Sequence, residues 1–256
     1  MHIYHNSIIN DTGARGILPP DTCGKDYVTG HRVNSNRVIS GMSKLENIKG
    51  VIFDLDGVIC FTDQYHFLAW KEIADKEGIE FNEAINERLR GVSRAESLEI
   101  ILEKATREYS AEEKTALMEQ KNNIYKEHLK DMLPTDLSKE VKDTLDELRA
   151  RGLKLAIGSS SKNTEFILER IGLDGFFDKI SDGKNIINSK PDPEVFLKAA
   201  DMIELKPEEC LVIEDAEAGI HAAVSGGFHN AGIGSASKYA KTENAIASFR
   251  DILELV

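Results

Sequence analysis

Cysteine, tryptophan and proline are scarce in this chain, with 3 Cys, 1 Trp and 6 Pro among 256 residues. Cys23, Cys60 and Cys210 are odd in number, far apart and without the close pairing of zinc ligands, so neither a disulfide framework nor a zinc site is expected. No apolar run approaches the length of a membrane span, and the N-terminus lacks the basic-then-apolar order of a secretory signal. The expectation is a cytoplasmic protein. Positive charge is also in deficit, 32 Lys and Arg against 44 Asp and Glu, for a formal net charge of -12. That excludes the basic face needed for nucleic acid, but not small phosphorylated substrates, which need only a few local donors inside a pocket.

The first stretch also lacks something, namely a sustained helix or strand period. Residues 1–43 are rich in Asn, Gly, Asp, Thr and Ser and contain Pro19-Pro20. They read as an extension outside the fold, with Met42-Ser43-Lys44 as an ordinary start. From Gly50 the pattern changes. Val51-Ile52-Phe53-Asp54-Leu55-Asp56-Gly57 is apolar without alternation and runs into a loop, as a central parallel strand does. The next comparable strand is 153–158, and the residues between are mostly helical. Ser93 with Glu96 and Ser110 with Glu113 are capping-box signatures that open two of those helices. Residues 62–133 are therefore expected to form an all-helical insertion. After Pro134, helical stripes (Val141, Leu145, Leu148; Phe166, Ile167, Ile171; Val195, Phe196, Ala199) alternate with strands at 153–158 and 210–213. This alternation predicts an α/β parallel-sheet core built from 44–61 and 134–256, with helices on both faces.

In such sheets ligands bind beyond the carboxyl ends of the strands. Three predicted strand ends are polar: Asp54 and Asp56; Ser159, Ser160 and Ser161 followed by Lys162; and Glu214 with Asp215. Lys190, ahead of Pro191 and a helix, is able to reach the same edge. Asp54 and Asp56 are two apart on extended backbone, so their side chains leave on one side. Carboxylates crowded there repel one another and require a cation; Asp54, Asp56, Glu214 and Asp215 suit Mg²⁺, a hard ion that prefers oxygen. A lone pair of acids at a strand-to-helix loop would instead suit helix capping. The ordered combination of D-x-D-G, a serine-rich strand end, Lys-Pro and Glu-Asp argues against that simpler reading.

With those four regions in hand, the chain resembles the haloacid dehalogenase superfamily from about Lys49 onward. The resemblance implies a Rossmann-like core with an inserted helical cap, an aspartyl-phosphate formed on Asp54, general acid and base work by Asp56, and phosphoryl oxygens held by Ser159 and Lys190. Within the superfamily, Thr62-Asp63-Gln64-Tyr65-His66 with Trp70, the run Arg90 to Leu98, Lys121-Asn122-Asn123 and Ser159 to Asn163 resemble the β-phosphoglucomutases. Two positions depart from that pattern: Phe61 stands where an aspartate is usual, and Arg90 where a lysine is. The resemblance implies a sugar-phosphate site of Asp56, Thr62, His66, Trp70, Gly91, Arg94, Ser97, Lys121, Ser159, Ser160, Ser161, Lys162, Asn163 and Lys190. It also implies Mg²⁺ as cofactor and a small phosphorylated sugar as partner; composition adds the expectation of no nucleic acid or membrane partner, and a monomer is expected.

Each cap residue has a plainer reading. His66 and Trp70, one helical turn apart, also suit a histidine packed on a core tryptophan, and Lys121 alone suits a solvated helix face. Arg94 in a first helical turn is disfavoured by the helix dipole, which a bound phosphate would offset. A sugar-phosphate phosphatase with a looser cap is the alternative to the mutase, and a non-catalytic binding module is disfavoured by the presence of both Asp54 and Asp56.

Overall fold

The computed structural model describes residues 44–89 and 92–256, so the expectations for residues 1–43 and for Gly91 lie outside the described residues. Six strands, β1 (Gly50–Phe53), β2 (Lys154–Gly158), β3 (Lys179–Ser181), β4 (Cys210–Glu214), β5 (His229–Gly232) and β6 (Asn244–Ala245), form one parallel sheet in the order β3-β2-β1-β4-β5-β6. The strand at 210–213 extends one residue further than its sequence pattern, to Glu214. The short, partly polar β3, β5 and β6 carry no apolar run of their own and take their place by pairing.

Every residue of β1 is buried, because both faces of the sheet are covered. Val51 and Phe53 join Leu155, Ile157, Leu211 and Ile213 on one face, while Ile52, Ala156 and Val212 lie on the other. Helices α5 (Lys139–Ala150), α6 (Thr164–Arg170) and α9 (Ile252–Leu255) cover the first face through Leu145, Leu148, Ile167 and Leu255. The second is covered by α7 (Glu194–Met202) and α8 (Glu217–Ser225), through Val195, Phe196, Ala199, Ala222 and Ala223. Each fully buried Leu, Ile, Val or Phe contributes about 1.5–3 kcal/mol, so these two layers supply most of the driving force for the core.

Between β1 and β2 the chain runs through α1 (Asp63–Glu77), α2 (Glu83–Glu87), α3 (Arg94–Leu102) and α4 (Ala111–Leu129), which form the helical cap. Both predicted capping boxes are present, at the starts of α3 and α4. The cap has its own apolar cluster of Trp70, Ile73, Phe81, Leu98, Ile101 and Leu117. Helix α4 serves both layers: Leu117 belongs to the cap cluster, whereas Tyr125 and Leu129 pack with the sheet-facing core. Lys121 lies on α4 between those two commitments.

Candidate active site

The sheet order places the polar strand ends together. β1 lies between β2 and β4, with Phe53 level with Ile157 on one side and Ile213 on the other. Asp54, the next residue, hydrogen-bonds through its backbone N–H to Ile213 O at 3.0 Å. Chain direction reverses its drift across the sheet at β1, which opens the crevice where Asp54, Ser159 and Glu214 meet.

Lys190 is the hub of the acidic side. Its buried Nζ donates to Asp54 Oδ1 at 2.5 Å and to Glu214 Oε1 at 2.6 Å, and it lies 4.7 Å from the centre of the Phe196 ring. Burial alone would strip its proton, but contact with Asp54 and Glu214 reverses this and holds its pKa above the ordinary lysine value. Burial pushes the Asp54 carboxyl well up; Lys190 opposes that push, and Glu214, Asp215 and Asp56 add to it. Asp56 is also raised by burial, against the hydroxyl of Thr62, which donates to its Oδ1. Thr62 occupies the N-cap of α1 without capping it, its hydroxyl being turned to Asp56 instead. Burial and the neighbouring Glu214 raise Asp215 to about 7.

Two glycines make this crowding possible. Gly57 has φ +91°, and a Cβ there would lie 2.2 Å from Asp215 Oδ2, so the D-x-D-G turn needs glycine on both counts. A Cβ on Gly219 would lie 1.9 Å from Glu214 Cδ, so α8 approaches the strand end only because that side chain is missing.

The loop after β2 folds over itself. Ser161 N–H donates to Ser159 Oγ at 3.1 Å and Asn163 N–H to Ser161 Oγ at 3.2 Å, which turns the backbone of 159–163 around the edge. Ser159 and Asn163 are buried, Ser160 and Ser161 half-buried, and Lys162 is exposed.

A cationic group lies on the cap side. Lys121 is 2 % exposed; its Nζ is 2.7 Å from His66 Nδ1 and lies over the rings of Tyr125 and Trp70, 4.5 and 5.2 Å from their centres. His66 stacks on Tyr125, with ring centres 4.1 Å apart, rather than on Trp70, which belongs to the cap cluster. Burial drives Lys121 well below its usual pKa, with Arg94 adding to the effect; burial, then Lys121 and Arg94, do the same to His66. Burying an ammonium without an anion costs several kcal/mol, and cation–π contacts return only about 0.5–2 kcal/mol. No carboxylate pairs with Lys121 or Arg94 among the described residues. The group has room in its charge balance for an anion. Ser97 is buried on α3.

The donor chemistry of the acidic edge fits a hard cation: all oxygen, with Asp54, Asp56 and Asp215 raised first by burial and further by neighbouring carboxylates. Among the described residues, however, no three carboxylates converge into a finished coordination shell. Glu214 turns one oxygen to Lys190 and the other to the N–H groups of Asp215 and Ala216, 3.0 Å each.

Two residues outside the predicted substrate set stand in the site. Asn122 Oδ1 accepts from Arg94 Nη2 at 2.8 Å and from Asn163 Nδ2 at 3.1 Å. Its neighbour Lys121 drew attention by charge, whereas an asparagine on a helix carries no signal of its own. Tyr125 is buried, with the His66 ring stacked on it and the Lys121 Nζ 4.5 Å from its centre.

Comparison with known proteins agrees with this geometry. The haloacid dehalogenase-like hydrolase family profile matches residues 48–227. The chain is 42% identical over 212 residues to a β-phosphoglucomutase of Bacillus subtilis, covering 82% of this chain and 94% of that protein. It is 32% identical to a phosphorylated carbohydrates phosphatase of Thermotoga maritima, over 71% of this chain and 82% of that one. A crystal structure of a β-phosphoglucomutase from Clostridium difficile superposes with a TM-score of 0.75 at 36% identity, covering 80% of this chain and 93% of the other.

Proposed function

The chain belongs to the haloacid dehalogenase-like hydrolase family, and from that premise we propose that it is a phosphomutase interconverting β-glucose 1-phosphate and glucose 6-phosphate. The observation that carries this reading is the pairing of an acidic centre around Asp54 with a separate, buried cationic group around Arg94 and Lys121 that has no carboxylate of its own. A substrate with phosphate at two ends satisfies both. The 42% identity to the Bacillus subtilis β-phosphoglucomutase supports it.

In the proposed cycle Asp54 carries a phosphoryl group as an acyl phosphate. The C6 hydroxyl oxygen of β-glucose 1-phosphate bonds to phosphorus as the bond from Asp54 to phosphorus breaks, and the hydroxyl proton passes to Asp56. The 1,6-bisphosphate turns end for end. Asp54 then takes the C1 phosphoryl group while Asp56 returns its proton to the departing C1 oxygen. Ser159 and Lys190 hold the phosphoryl oxygens, and Thr62 fixes the orientation of Asp56. Asp54, Asp56, Glu214 and Asp215 would hold Mg²⁺, which would supply neutralisation of the phosphoryl charge when bound. At the far end Arg94, Lys121, Ser160 and Asn163 hold the non-reacting phosphate, with Ser161, Lys162, His66, Trp70, Gly91 and Ser97 completing the substrate site. The cap of 62–133 closes as a unit on the core of 44–61 and 134–256 and keeps water from the acyl phosphate.

The test is conversion of β-glucose 1-phosphate to glucose 6-phosphate by purified protein with Mg²⁺ and a trace of the 1,6-bisphosphate. Release of inorganic phosphate in place of glucose 6-phosphate would favour the second reading, a sugar-phosphate phosphatase, which the Thermotoga maritima relative supports.

A further inference from the structure

Among the described residues, the side chain of Asn122 bonds to both Arg94 and Asn163. Arg94 comes from the first turn of α3 in the cap, and Asn163 from the loop after β2 in the core. Both donate to one atom, Asn122 Oδ1, at 2.8 and 3.1 Å. Asn163 sits at the N-cap of α6, where its side chain would ordinarily bond the helix's own N–H groups, and it makes no such bond. Its amide is committed across the cap boundary.

The donor inventory shows what that commitment leaves over. A guanidinium has five N–H groups in a fixed planar fork, and Arg94 gives only those on Nη2 to Asn122, leaving Nε and Nη1. An amide nitrogen has two N–H groups, and Asn163 uses one. The shared acceptor therefore draws two donors from different parts of the chain to one point while sparing enough N–H groups for a phosphate. A neutral amide oxygen is suited to this task. A carboxylate in its place would also hold Arg94, but would cancel the positive charge that attracts the anion and repel the phosphate itself.

We infer that Asn122 is a positioning residue that selects for substrates with a distal phosphate, by joining Arg94 of the cap to Asn163 of the core around one uncharged oxygen. This rests on the reading that Arg94 and Asn163 hold the non-reacting phosphate. Asn122 acts through those two residues. It makes the far-end site and the cap-to-core contact one structure, so that a phosphate bound there reinforces closure and a substrate lacking it does not.

The experiment uses the full chain with Asn122→Ala, Asn122→Asp, Arg94→Ala and the double Arg94→Ala/Asn122→Ala variant. KM and kcat are measured for β-glucose 1-phosphate, together with hydrolysis of acetyl phosphate, which has no distal phosphate. Asn122→Ala is expected to raise KM about tenfold with little change in kcat, and to leave acetyl phosphate hydrolysis within about twofold. Asn122→Asp keeps an acceptor for both donors, so its melting temperature should match the parent while KM rises about a hundredfold. The double variant should be little worse than Arg94→Ala, because both changes remove one arrangement. Additive losses, or equal losses on the two substrates, would overturn the inference by making Asn122 a packing residue. A KM rise in Arg94→Ala with none in Asn122→Ala would overturn it alone, whereas unchanged KM in Arg94→Ala would remove the distal-phosphate reading as well.

Discussion

The two ends of the site are opposites in charge and alike in predicament. At the sheet edge, Asp54, Asp56, Glu214 and Asp215 crowd around one ammonium, and three of the four are forced up in pKa. On the cap side, burial lowers Lys121, His66 and Arg94, Arg94 adding to the effect on Lys121 and both cations to that on His66, and their partners are polar but uncharged. Each end carries a charge that the protein does not balance. The comparison teaches that the site is incomplete in two senses at once: one end calls for positive charge and the other for negative. In the proposed function, a phosphoryl group with its metal at one end and a distant phosphate at the other would answer both.

The comparison breaks most severely if the acidic end loses its nucleophile. Asp54→Asn is expected to abolish sugar-phosphate turnover while the protein stays folded, since an amide cannot form the acyl phosphate and Glu214 still holds Lys190. Steady-state assays beside a thermal melt check this; substantial turnover would remove Asp54 from the role. Asp56→Asn removes proton transfer but not the phosphoenzyme, for a loss of about 10²–10⁴ in kcat. A variant within a few-fold of the parent would return Asp56 to a structural part.

Next in size is the cationic end. Arg94→Ala removes charge-assisted contacts worth about 1.5–3 kcal/mol, a loss of at least about tenfold in kcat/KM for β-glucose 1-phosphate. Acetyl phosphate hydrolysis should hardly change. Equal loss with both substrates would dissolve the distinction between the two ends.

The smallest expected effect concerns stability. His66 has its pKa lowered well below 6.5, first by burial and then by Lys121 and Arg94. A depressed folded-state pKa stabilises fully above the unfolded value, and that contribution is lost as pH falls, because the unfolded chain takes up the proton first. The melting temperature of the parent relative to His66→Asn should therefore decline as pH drops below about 6.5, with the difference flat at higher pH. A difference independent of pH would mean that His66 titrates normally and that the cationic end is not as closed to water as its packing indicates.

The acidic end was far more legible in the sequence than the cationic one. Asp54-Leu55-Asp56-Gly57 sits on a run of buried apolar residues, and Lys190 precedes a proline, so local pattern places each near a strand end. The cationic end is assembled from helices whose faces serve packing as well as chemistry. Lys121, Tyr125 and Asn122 share one helix, and nothing in its apolar spacing distinguishes the buried lysine from a solvated one. His66 illustrates the limit: its spacing to Trp70 suggested a contact, yet its ring lies on Tyr125, 59 positions away by the chain numbering.

The sequence by itself determined the parallel-sheet class, the helical insertion with its two capping boxes, and the acidic edge, because these follow from interactions between near neighbours in the chain: apolar runs, side-chain caps and turn residues. Only the tertiary structure decided that Glu214 gives its carboxylate to Lys190 and its own loop, that Thr62 serves Asp56 rather than its helix, and that Asn122 joins Arg94 to Asn163. In each case the partner, or one of the partners, of a polar group is one that folding brings near. Which partner is taken depends on burial and on what else reaches the same atom, and those are properties of the packed molecule.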